Sequence, residues 1–181
     1  MTEIKRRLID QLLDSTFLQD LEGMAYDVLQ TRRAMCDDLD LEYSYYRRML
    51  HGRMDLLAFE LRHRAGEEEQ TLLEALPRIL AGGADSATPG LPSRTLSVDA
   101  PDIPTLGRRL IDRALNSDFL ARLGDFTDEE LLETQRFLME IESEVSIRRR
   151  GIHAAHDRLE AELTRRYREG LADPGESLAR A

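Results

Sequence analysis

Asp40, Ser44, Arg47, His51 and Asp55 stand at offsets 0, 4, 7, 11 and 15, and Glu142, Ser146, Arg149, His153 and Asp157 repeat those offsets 102 positions later. At roughly 100° per residue, either set falls on a helical stripe about 80° wide. Each stripe offers carboxylates, a hydroxyl, a guanidinium and an imidazole along one face. These groups suit a polar, anionic ligand. A carboxylate accepts from the N1–H and N2–H edge of guanine, and arginine bonds the O6 and N7 edge as a fork or stacks on the base. Serine and histidine reach phosphate or further base edges. Arg48, Arg53, Arg148 and Arg150 make both stretches locally basic in an acidic chain. A two-fold symmetric nucleotide with guanines and phosphates would use all of these groups, and would explain why the set occurs twice.

Three other readings compete. His51-x3-Asp55 and His153-x3-Asp157 put two metal-ligand types on adjacent turns, with His156 as a further donor, as a metal-binding helical bundle requires. The Ser and Arg between those ligands serve no metal, and a guanidinium beside a cation is unfavourable. A purely structural coiled coil would leave the same residues as a solvated face. Nucleophilic catalysis fits worst, because Ser44 and His51 are nearly two turns apart and no glycine-rich elbow or oxyanion loop accompanies them. The chain therefore reads as a binding protein without catalytic residues, metal or cofactor.

The repetition extends beyond the stripes. Residues 6–64 lie over 108–166 without a gap, RRLID (6–10) on RRLID (108–112), Phe17-Leu18 on Phe119-Leu120, and Leu57, Glu60 and Leu61 on Leu159, Glu162 and Leu163. That is an internal duplication, and two copies suit a pseudo-two-fold object rather than a solenoid. Residues 24–65 contain no Pro and one interior Gly, with apolar residues at steps of 3, 4 and 7, which predicts one long helix stopped at Gly66. Thr127 with Glu130 forms a capping box that opens a second long helix, expected to run to about Arg168. Short helices are expected at Glu3 to about Leu21, Glu68–Leu80 and 106–122. The two long helices are expected to pair with each other.

The predicted fold class is all-α: a long antiparallel helical hairpin or coiled coil built from two duplicated halves, with short flanking helices. The predicted organisation is a first repeat at 1–81, a flexible linker at 82–104 rich in Gly, Pro and Ser, a second repeat at 105–172, and a flexible tail at 173–181.

Composition narrows the partners. Thirty-five acidic against 25 basic residues give a net charge of −10, which argues against direct DNA binding and suits a partner with a basic face. A single Cys36 excludes an internal disulfide and fits a reducing compartment. The start MTEIKRR lacks the apolar core of a signal peptide, and no apolar run approaches a membrane span, so a cytoplasmic protein is expected.

DLEYSYYRRMLHGRMD (40–55), EIESEVSIRRR (140–150) and GIHAAHD (151–157) resemble the paired helical signature of the RsiG family, anti-sigma factors that sense cyclic-di-GMP. The family pattern, Glu-x3-Ser-x2-Arg-x3-Gln-x3-Asp, occurs once on each long helix of a coiled coil. Ser44, Arg47, Asp55, Glu142, Ser146, Arg149 and Asp157 match it, and REGLADP (168–174) is similar to that family's C-terminal end. Asp40 departs from it by one methylene, and His51 and His153 stand in the Gln positions, where they can still hydrogen-bond and stack. The resemblance implies a dimer of cyclic-di-GMP as ligand and a sporulation-type sigma factor of the WhiG class as partner. The nucleotide would act as an adhesive between the two proteins, not as a substrate, and its fall would release the sigma factor.

Overall fold

The computed structural model describes residues 8–80, 110–115 and 118–171. The expected linker at 82–104 and tail at 173–181 lie outside these residues. The described residues form helices and turns: α1 (Leu8–Leu12), α2 (Tyr26–Arg64), α3 (Leu72–Leu80), α4 (Leu110–Ala114), α5 (Phe119–Arg122), a 3-10 turn (Leu123–Asp125) and α6 (Asp128–Arg168). The two long helices, 39 and 41 residues, match the sequence expectation closely. The all-α class is observed, with no strand among the described residues.

Apolar spacing explains both helices. Leu29, Cys36, Leu39, Tyr43, Tyr46, Leu50 and Leu57 of α2 are buried, as are Leu131, Leu138, Ile141, Val145, Ile152, Leu159 and Leu163 of α6. Steps of 3, 4 and 7 keep such positions on one seam. Burying a leucine on this seam contributes about 2 kcal/mol. Cys36 occupies the position that Leu138 holds in the other repeat, so it acts as a small apolar side chain. Burial, with help from neighbouring Asp37, pushes its thiol up to about 11, which leaves it protonated and unreactive.

The chain divides into two compact units that cut across the repeats: Met1–Ser44 with Ser146–Ala181, and Tyr45–Val145. In the first unit, Arg33 meets Glu160 at 3.1 Å and the rings of Tyr26 and Tyr167 lie 6.0 Å apart. Partners on α6 therefore fall in number as those on α2 rise, and the two segments run antiparallel. The end of α1 rests on α6 where Gly151 lacks a side chain, since an added methyl would meet Leu13 Cδ2 at 3.2 Å. In the second unit, Arg47 meets Glu142 and Arg64 meets Asp128, so the segments are again antiparallel.

Each long helix ends in an arginine clamp. In the first unit, Arg166 donates through Nε to Glu162 at 2.8 Å and through Nη2 to the carbonyls of Leu21, Glu22 and Met24. In the second unit, Arg64 donates to Glu60 at 2.7 Å, to the Phe126 carbonyl at 2.6 Å and to Asp128 at 2.9 Å. Arg64/Arg166 and Glu60/Glu162 are equivalent pairs under the duplication. Each clamp ties a helix end to the loop that starts the opposite long helix. Past the clamps, Gly66 (φ 76°) and Gly170 (φ 66°) take the left-handed conformation that closes a helix. Glu67 N–H reaches back to the Arg62 carbonyl, and Leu171 N–H to that of Arg166, both at 2.9 Å.

The short elements depart from expectation. The helix expected from Glu3 to Leu21 is described only at Leu8–Leu12, and turns follow to residue 24. Asp14 causes the break. Its carboxylate accepts from Thr16 N–H at 2.9 Å and from the Thr16 hydroxyl at 2.7 Å, a local turn that competes with helix. Of the helix expected over 106–122, the described residues show α4 and α5, while 106–109 and 116–117 lie outside them. The third helix starts at Leu72 rather than Glu68, because Thr71 and Glu74 form a capping box there.

The box expected at the start of α6 is present. Thr127 N–H donates to Glu130 at 2.8 Å, and Glu130 N–H to the Thr127 hydroxyl at 3.2 Å. Thr127→Ala is expected to cost about 1 kcal/mol, read as a lower midpoint in urea unfolding with an unchanged slope.

Candidate functional site: two mixed carboxylate clusters

The stripes do not stay whole. In the first unit, Asp40 of the first repeat gathers Arg149 and His153 of the second. Arg149 Nε lies 2.9 Å from Asp40 Oδ1, and His153 Nε2 lies 2.7 Å from the same oxygen. Ser44 completes the cluster, accepting from Arg149 Nε at 3.0 Å and facing Asp40 Oδ1 at 3.4 Å. In the second unit the assignment reverses. Glu142 of the second repeat receives Arg47 Nε at 3.2 Å and His51 Nε2 at 3.1 Å, both on Oε1. The extra methylene of Glu142 lets it span to its partners where Asp40 sits tighter.

Two antiparallel copies of one pattern produce this exchange. The acid near the start of a stripe comes level with the arginine and histidine further along the opposite stripe. A carboxylate has no proton to give, so the imidazole Nε2–H is the donor in both clusters. Sharing one carboxylate oxygen between imidazole and guanidinium fixes both groups across the helix pair.

The arginines are only partly committed. Arg47 and Arg149 use Nε alone, and their Nη1 and Nη2 nitrogens make no hydrogen bond among the described residues. The side chains are 44% and 30% exposed, and two donor nitrogens on each remain uncommitted. Asp40 Oδ2 is likewise without a hydrogen bond among the described residues.

The remaining motif residues play different parts. Asp157, 81% exposed, lies 3.6 Å from His156 Nδ1 and lines a cavity of about 260 Å³ with Cys36, Asp37, Asp40, His153 and His156. Asp55 is exposed and has no partner among the described residues. Ser146 is half-buried on α6. Among the described residues, no group of three or more His, Cys, Asp or Glu side chains is placed to hold a metal ion.

Sequence reasoning missed several contacts. Arg148 Nη1 donates to the Tyr43 hydroxyl at 3.3 Å, and His156 pairs with Asp37 at 3.4 Å. It also missed the Arg64 and Arg166 clamps, although Glu60 and Glu162 had surfaced in the repeat alignment. The same alignment ends on the two arginines, which lie opposite each other.

With this geometry in place, comparison with known families finds a likeness in the first repeat, where the RsiG-like family model matches residues 15–80. These residues are similar to that family. The match contains the whole first motif, Asp40 to Asp55, and α2 and α3 entire. The second motif lies outside the match and is tied to the RsiG-like segment by the internal duplication. The RsiG-like family is one of regulatory anti-sigma factors and not of enzymes. No curated protein matches the chain. Among the described residues, no helix is long and apolar enough to cross a membrane.

Proposed function

We propose that this RsiG-like chain is an anti-sigma factor of the cytoplasm that binds a dimer of cyclic-di-GMP and, with it, sequesters a WhiG-type sigma factor. Transcription of developmental genes is then blocked until the nucleotide level falls. The ligand is held through twin [DE]-x3-S-x2-R-x3-H-x3-D motifs. One observation carries this reading: each unit holds an acid beside an arginine whose Nη donors are uncommitted. Those forks match the O6/N7 edge of guanine, and the free Asp40 Oδ2 matches its N1–H/N2–H edge. The duplication of the cluster suits a ligand of two equal halves. The partner fits as well, since a chain of net charge −10 is complementary to a protein with a basic, DNA-binding face.

Size-exclusion chromatography of the chain with a WhiG-type sigma factor tests the adhesive role. A joint peak is expected with cyclic-di-GMP present, and separate peaks without it. Separate peaks under both conditions would overturn the adhesive role.

A further inference from the structure

The duplication builds two equivalent clefts, one in each unit, and they have diverged in charge. The cleft of the first unit is lined by Gln11, Thr16, Phe17, Arg32 and Met35, together with two acids, Asp14 and Asp27. The equivalent positions in the second unit are Arg113, Asp118, Phe119, Thr134 and Phe137, and Arg53 and Arg122 join them. In both clefts a guanidinium stacks 4.9 Å from the ring of the equivalent phenylalanine, Arg32 on Phe17 and Arg53 on Phe119. Each of these arginines also donates Nη1 to a backbone carbonyl, Arg32 to Phe17 and Arg53 to Ala114. That stack is thus a shared structural device.

The other two arginines are surplus to it. Arg113 and Arg122 are exposed, with no carboxylate partner among the described residues. Arg122 only stacks on Phe126, 5.2 Å from the ring centre. The second cleft therefore sets three arginines against a single acid, Asp118, in a chain of net charge −10. Its floor is apolar, with Phe119 and Leu138 buried and Phe137 half-buried. Its volume of about 150 Å³ is below the ~300 Å³ at which pockets for drug-sized ligands begin, so it has room for one side chain and none for a nucleotide.

We propose that this cleft, formed by α4, α5 and the facing parts of α2 and α6 within the Tyr45–Val145 unit, docks an acidic peptide segment of a partner protein. One apolar side chain of the segment enters between Phe119 and Phe137, and flanking carboxylates pair with Arg113 and Arg122. Arginine is suited to this role because its planar fork meets a carboxylate with two parallel hydrogen bonds. The proposal is independent of the nucleotide clusters, since neither Arg113 nor Arg122 belongs to the motifs.

The test is fluorescence anisotropy of the full chain with a short labelled peptide in which one leucine is flanked by glutamates. Saturable binding that weakens with added salt is expected. Arg113→Glu with Arg122→Glu should weaken it by roughly tenfold or more. Arg158→Glu with Arg168→Glu, which makes the same change of net charge at exposed sites on α6, should have a much smaller effect. Absence of saturable binding would overturn the proposal. Equal weakening by the two charge-reversal pairs would overturn it too, because the attraction would then belong to the whole chain and not to the cleft.

Discussion

Arg166→Ala lowers the stability of the fold by about 3 kcal/mol, the low end of the cost of opening a buried ion pair, because Glu162 keeps Arg165 at 2.8 and 2.9 Å. The residue is 8% exposed, and so is Glu162, to which its Nε donates. Its loss leaves three carbonyls, of Leu21, Glu22 and Met24, without their shared donor and detaches the loop that starts α2. A fall in melting temperature of roughly 10 °C is expected in a calorimetric scan. Arg64→Ala, the equivalent change, should cost less, because Arg64 is 25% exposed and water can replace part of what it gives.

Acid should act on the same pair. Hydrogen bonds from Arg165 and then Arg166 hold the Glu162 carboxyl at about 2, below its ordinary 4.5. The folded chain thus resists protonating this group more than the unfolded chain does. The stability it contributes is complete above about pH 4.5 and is lost as pH falls through about 2. Urea midpoints measured across that window should fall for the parent and change less for Glu162→Gln.

The second large effect is on ligand binding. Arg47→Ala combined with Arg149→Ala removes both open forks, each worth about 1–3 kcal/mol against a guanine edge. Affinity for cyclic-di-GMP should fall by at least roughly 30-fold, the lower end of that range for two forks. Stability should hardly change, because both arginines pair at the surface and exposed ion pairs contribute about 0–1 kcal/mol. Unchanged affinity in a folded double variant would mean that the clusters are a solvated face of a coiled coil.

The long helices were legible because heptad steps are local: Leu29, Cys36, Leu39 and Tyr43 declare a seam without reference to any partner. The capping box at Thr127 was legible for the same reason, being a four-residue pattern. The short helices were not, since at Asp14 a side chain competes with the helix for the backbone and composition does not say which prevails. At the site, the residue types and the duplication were readable, and the grouping was not. One helix presents Asp40, Ser44, Arg47, His51 and Asp55 as a set, yet the antiparallel crossing gives Asp40 to Arg149 and His153 and leaves Asp55 alone. Only the register between the helices decides that, and a stripe on a single helix carries no register. The clamps were readable in principle, because Arg64 and Arg166 are equivalent under the duplication.

Binding of cyclic-di-GMP by the twin clusters is read by isothermal titration of the purified, metal-free chain with that nucleotide. Saturable heat with two nucleotides per chain is expected, lost in the Arg47→Ala, Arg149→Ala variant and tighter with the sigma factor present. Absence of heat, both alone and with the sigma factor, would overturn nucleotide binding by the clusters.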